Sequence, residues 1–163
     1  MLSNRRTVST AEQIRSPELQ RLFAYWNSVR GGRFAPARKD INPKDIRDIL
    51  GHLLLVDVAA GRKDLRIRLM GTRLVNCFDR DLTGQMIAHH QDPLLHLLES
   101  YCHPVLNERA PVLFGPIQCH MDQVDIFIHE TLALPLSPDQ SRINMLLMGM
   151  SCQPRSNIGP LAA

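Results

Sequence analysis

The stretch Leu65-Arg-Ile-Arg-Leu-Met-Gly-Thr-Arg-Leu-Val-Asn-Cys-Phe-Asp-Arg-Asp-Leu-Thr-Gly84 changes its period halfway along. Leu65, Ile67 and Leu69 alternate with Arg66 and Arg68, the pattern of a strand with one buried face. Gly71 and Thr72 break that alternation. With Thr72 as N-cap, Leu74, Val75 and Phe78 then fall on one side of a short helix, and Asp81-Leu-Thr-Gly84 closes it with turn chemistry. Strand, glycine hinge, helix and turn predict a compact concave unit.

Upstream, Ser16-Pro17 reads as an N-cap followed by proline at the first helical position, and Gly31-Gly32 as the stop. Between them Leu19, Leu22, Phe23, Trp26 and Val29 recur at helical spacing. A stripe this large must be covered, either by the domain's own sheet, with the helix as a lid, or by a second copy in a homodimer. Asn42-Pro43-Lys44-Asp45 caps a second short helix with Ile46, Ile49 and Leu50 inward and Gly51 as its end. The continuous apolar run Leu53–Val56 predicts a strand covered on both faces, whereas 65–70 alternates and belongs at an edge.

Downstream, Asp92-Pro93 opens a longer helix with Leu94, Leu97, Leu98, Tyr101 and Val105 on one face, and Pro104 predicts a kink or an end near His103. Residues 111–121, 124–136 and 141–152 read as three strands, joined by turns at 121–124 and 137–140. The last, apolar on both faces, belongs in the middle. The expectation is an α+β domain: five antiparallel strands, helices inserted between the second and third, and an N-terminal lid helix. Residues 1–15 are polar and aperiodic and are expected to be disordered, 16–152 form the domain, and 153–163 form a flexible tail.

Composition narrows the classes. The 163 residues are one domain's length, and 44% hydrophobic content supplies one core. No run of about 18 apolar residues would span a membrane, and the N-terminus has no apolar signal core, so a cytoplasmic location is expected. The four cysteines, Cys77, Cys102, Cys119 and Cys152, form no Cys-x-x-Cys pair and are expected to be reduced core thiols. Up to Leu82 there are 16 Lys or Arg against 9 Asp or Glu; from Thr83 onward, 3 against 7. With only 5% aromatic residues, this split reads as solvated charge rather than a nucleic-acid surface.

The central stretch resembles the PAS superfamily, and more closely its short single-domain bacterial members. Their pattern of Arg-hydrophobic-Arg-Leu-Val-Gly-Thr, a helix and Asp-Leu-Thr-Gly is matched by Arg66-Ile67-Arg68-Leu69-Met70-Gly71-Thr72 and Asp81-Leu82-Thr83-Gly84. The resemblance extends through Tyr25-Trp26, Arg30-Gly31-Gly32-Arg33, Pro36-Ala37-Arg38, Asp40-Ile41-Asn42-Pro43, Glu130 and Leu134-Pro135-Leu136. Asp79 departs from the pattern, since those proteins more often carry glycine there. The resemblance implies a sensory or regulatory module of bacterial signal transduction that binds ligands or signalling proteins and does no chemistry of its own.

Motif chemistry is sparse: no nucleophile elbow, phosphate loop or zinc-protease helix is present. His96 and His103 lie about 10 Å apart along one helix, too far to share an ion. Both point away from the Leu94, Leu97, Tyr101 face, whereas haem-binding PAS domains supply their ligand inward from that helix; neither haem, flavin nor metal is expected. His89, His90, His120 and His129 read as ordinary surface histidines. Glu130 shares a face with Ile126, Ile128, Leu132 and Leu134 and so needs a partner: an arginine such as Arg73 or Arg38, or a ligand. If the phase is reversed, Phe127 points inward instead. Val75, Phe78, Met86, Leu97, Tyr101, Phe114 and Phe127 are expected to line a pocket for a small apolar or weakly acidic organic molecule, with Arg73, Tyr101 and Glu130 as polar contacts. The alternatives are a small α+β enzyme with a His or Glu general base, and a nucleic-acid binder.

Overall fold

Thirteen residues rich in Val, Ile, Leu and Phe, Val124–Leu136, form the longest strand, and the rest of the sheet assembles around it. The computed structural model describes residues 4–87, 91–121 and 123–154. In chain order the elements are β1 (Arg5–Thr7), α1 (Pro17–Arg30), β2 (Leu53–Val58), β3 (Leu65–Met70), α2 (Thr72–Phe78), α3 (Pro93–Glu108), β4 (Val112–Phe114), β5 (Ile117–Met121), β6 (Val124–Leu136) and β7 (Met145–Pro154). Short 3-10 segments cover Ala11–Gln13, Arg38–Asp40 and Pro43–His52. The strands form one antiparallel sheet in the order β1-β4-β6-β7-β2-β3, with β5 beside β6 beyond β4.

The α+β class, the central place of β7 and β2 and the edge position of β3 are those the patterning predicts. The strand number differs, at seven among the described residues. The strand expected over 111–121 divides at Gly115-Pro116, where Pro116 has no N–H to donate and the Gly115 N–H turns to the Asn4 carbonyl at 2.7 Å. The second addition is β1. Arg5, Arg6 and Thr7 pair with Phe114, Leu113 and Val112, so residues 4–15 are ordered rather than disordered. Val8 and Ile14 anchor them as buried apolar plugs that a composition average hides. At the other end β7 runs on to Pro154, two residues past the expected boundary; residues 1–3, 88–90 (His89 and His90 among them), 122 and 155–163 lie outside those described.

Two cores sit on the two sheet faces. Beneath α2 and α3 lie Leu54, Val56, Ile67, Tyr101, Phe114, Ile128 and Met148 among others. Beneath α1 and the segments flanking it lie Leu19, Leu22, Phe23, Trp26, Leu132, Leu134 and Leu147. The α1 stripe therefore covers its own sheet: Leu19, Leu22, Phe23 and Trp26 are buried, Val29 is half-buried, and little of the stripe is left for a homodimer contact. The Trp26 indole N–H donates to the Pro135 carbonyl at 3.0 Å. Gly149 lets the helix approach β7, since a Cβ there would stand 2.7 Å from Leu19 and 2.8 Å from Leu22.

The opening stretch folds as its change of period predicts, with two differences, and a third lies just upstream. Its helix α2 begins at Thr72 with Gly71 in the capping position, one residue earlier than predicted. Leu69 is 49% exposed, because the β2–β3 register shifts at Arg68 and turns Leu69 to the opposite face, leaving Met70 to take the buried place. The helix expected at 43–50 is two short 3-10 pieces that meet at a kink at Ile46 (φ −124°, ψ 28°), the second passing Gly51 to end at His52. Gly71 is needed for close approach: a Cβ would lie 2.4 Å from the Gly51 carbonyl oxygen. Asp79 ends α2 in the left-handed region (φ 55°, ψ 33°), where glycine is usual and Asp is tolerated.

The long helix α3 neither ends nor breaks at Pro104 but continues to Glu108. Proline removes one hydrogen bond, and the buried face formed by Tyr101, Cys102, Val105 and Leu106 holds the turn against the sheet. At its start Asp92 accepts the Leu94 and Leu95 N–H groups and pairs with Arg80 at 2.5 Å. The Arg80 hydrogen bond, aided by those amides, holds the Asp92 carboxyl below its usual range.

Two outcomes follow from this packing. Trp26→Ala lowers unfolding free energy by about 3–5 kcal/mol in urea titration, while a near-neutral result would mean that α1 does not seal the sheet. Because the folded pKa of Asp92 is depressed, its contribution is present above about pH 4 and fades as pH falls through the folded value. The stability gap between wild type and Asp92→Asn, followed by thermal melts, therefore narrows on acidification.

Candidate functional site

β6 carries an apolar alternation that changes face partway along. Ile128 pairs with Cys152 and Glu130 with Ser151, so one extra residue, His129, is inserted between them. Ile126 and Ile128 consequently pack under α3, whereas Leu132, Leu134 and Leu136 pack under α1. The bulge delivers Glu130 to the α1 side. There its carboxylate accepts the Arg15 N–H at 3.1 and 3.0 Å and the Ser16 N–H at 2.7 Å.

Glu130 is 5% exposed, and its partners are backbone amides rather than an arginine. Arg73 is exposed on α2, and Arg38 donates to the Ile41 carbonyl. The Ser16 side chain makes no cap hydrogen bond, so Glu130 supplies the anion that the positive end of α1 favours. Beside it opens a groove of about 700 Å³ lined by Arg5, Arg6, Arg15, Pro116, Phe127 and His129, in which the Phe127 and His129 rings meet edge-on at 4.6 Å. Phe127 thus belongs to this outer groove and not to the interior.

Of the expected pocket residues, Phe78, Leu97, Tyr101 and Phe114 lie in the core between α3 and the sheet, and Val75 packs against it half-buried. Met86 is half-buried, bridging to Arg66 outside the edge of β3. Tyr101 and Phe114 stack at 4.6 Å with a 54° tilt. The Tyr101 hydroxyl faces that of Thr131, yet both oxygens are buried without a well-formed hydrogen bond. Burial drives the phenol pKa well above its ordinary value, so the group stays a neutral donor. Thr131 went unread in the sequence; the available signal was a lone hydroxyl in the otherwise apolar run 131–136.

A family model described as PAS domain matches residues 14–150. The chain belongs to the PAS domain family. No curated protein matches it. Membership suggests a sensory or regulatory module. The matched region of this PAS domain starts at Ile14, beside the amides that Glu130 holds, and leaves β1 outside.

Four of the described histidines of the PAS domain, His96, His103, His120 and His129, lie toward solvent, while His52 is half-buried with a ring nitrogen 3.2 Å from the Met150 carbonyl oxygen. His96 and His103 are exposed on α3, with His103 3.4 Å from Glu99, and His120 meets Asp125 at 2.7 Å on the exposed β5–β6 hairpin. The His–carboxylate pairs among the described residues are therefore on open surface rather than in a deep cleft. No helix among those residues is long and apolar enough to cross a membrane.

Glu130→Gln sets an amide N–H₂ against two backbone donors and weakens the seat of α1. A loss of about 1–3 kcal/mol is expected, with faster amide hydrogen exchange over residues 14–20. Unchanged exchange there would show that the helix holds its place without the carboxylate.

Proposed function

We propose that this PAS domain is a non-catalytic sensory or regulatory module of bacterial signal transduction, working in the cytoplasm by binding a small organic ligand and passing its state to signalling proteins. The observation that carries the reading is the facing pair of buried hydroxyls, Tyr101 and Thr131, in the apolar layer between α3 and the sheet. A buried polar group without a partner costs about 1–3 kcal/mol, and a ligand oxygen or nitrogen placed between the two would recover it. Phe78, Leu97 and Phe114 supply the apolar surroundings that favour an apolar or weakly acidic molecule. Val75 and Met86, both half-buried, stand toward the edge of this layer.

Native mass spectrometry of the purified protein reads retained ligand directly, and thermal shifts over a panel of small organic acids read added ligand. Tyr101→Phe removes an unpaired hydroxyl, so the apo variant melts no lower than wild type while its ligand-induced shift is lost. No retained molecule and no shift across the panel would instead make the domain a pure protein-interaction module.

A further inference from the structure

Cys77 and Cys152 are 75 residues apart in sequence and come from α2 and β7, elements that pack against each other beneath the α3 face. Their thiols lie close enough to interact. Both line one surface groove of about 400 Å³, together with His52, Arg73 and Gln153. Cys77 is 4% exposed at its base and Cys152 is half-buried, so the pair borders solvent at this groove. A third thiol, Cys119 on β5, lies near but donates to the Ile126 carbonyl at 3.8 Å, and Cys102 is sealed in the core. No group of three or more metal-ligating side chains forms among the described residues, so two thiols in contact are suited to joining each other.

We infer that Cys77 and Cys152 form a peroxide-sensitive dithiol site, whose oxidation to a reversible disulfide ties α2 to the end of β7. The contact with Cys152 lowers the pKa of the Cys77 thiol, against the opposing effect of burial, whereas the same contact and burial raise that of Cys152. Cys77 is thus the more acidic of the two thiols and Cys152 the one that keeps its proton. The Cys77 sulfur attacks one peroxide oxygen, the O–O bond breaks, and hydroxide leaves with the electron pair, giving a sulfenic acid. Cys152 sulfur then attacks the Cys77 sulfur, the S–O bond breaks, and the Cys152 proton leaves with the hydroxyl as water. Two thiols have lost two electrons and peroxide has become two waters, the first hydroxide taking the proton that Cys77 released. The cross-link closes a loop of about 75 residues, a restraint on the unfolded chain that favours the folded one.

The test treats the full reduced chain with hydrogen peroxide and follows intact mass, peptide map and melting temperature. Expected are a loss of about 2 Da per chain, one peptide joining Cys77 to Cys152, a melting temperature higher by several degrees, and reversal of all three by dithiothreitol. Cys77→Ser and Cys152→Ser abolish the cross-link; Cys102→Ser and Cys119→Ser retain it. A disulfide to Cys119, a disulfide between two chains, or sulfinic acid at Cys152 with no cross-link would each overturn the inference. Should a Ser variant fail to fold, the wild-type peptide map decides by itself.

Discussion

The insertion of His129 into β6 is the constraint on which the other parts of the fold lean. A strand of period 2 can serve only one face with a given set of side chains, and an extra residue exchanges the two sets. Before the bulge β6 gives Ile126 and Ile128 to the α3 layer; after it, Leu132, Leu134 and Leu136 go to the α1 layer. One strand thereby serves both cores. At the point of exchange stands Glu130, whose buried charge is acceptable because three hydrogen bonds from the Arg15 and Ser16 amides meet it.

That contact links the sheet to the helix covering it. With the start of α1 held by Glu130, the helix crosses β7 over Gly149, and its indole reaches the Pro135 carbonyl. The opposite face depends on a comparable close approach. Gly71 N–H donates to the Leu53 carbonyl at 2.8 Å while the backbone of Gly51 passes too near for any side chain. Both faces are thus set by points where a Cβ does not fit, and the sheet between them can be apolar on both sides.

The α3 layer holds the chemistry that the domain carries inside. It is mostly aliphatic and aromatic, yet the Tyr101 and Thr131 hydroxyls and the Cys77, Cys119 and Cys152 thiols all border it. In such surroundings a hydroxyl remains neutral and a thiol takes its acidity from its neighbour rather than from water. A sensory module needs groups that respond to a small change in occupancy or oxidation, and a dry layer makes each of them costly to leave unsatisfied. The acidic and basic side chains, by contrast, are mostly in exposed or half-exposed pairs such as Arg68–Asp57 and Arg33–Asp40, which contribute solubility more than shape.

By itself the sequence determined what local rules control: the change of period between 65 and 84, the Asp81-Leu-Thr-Gly84 turn, the α1 stripe, the central and edge strands, and the PAS resemblance that rests on them. Asp81 accepts the Thr83 N–H at 2.9 Å and its hydroxyl at 2.6 Å, bonds between near neighbours that composition and spacing can reveal. Tertiary structure alone decided what depends on partners distant along the chain. The bulges at Arg68 and His129 leave no compositional trace, because an inserted residue is an ordinary residue, and they sent Leu69 and Glu130 to faces that strict alternation denies them. The partner of Glu130 was equally hidden, since every residue has a backbone amide and only the fold says which ones are free. The Cys77–Cys152 contact exists because α2 lies on β7, and no spacing rule connects two elements that meet only after the sheet has formed.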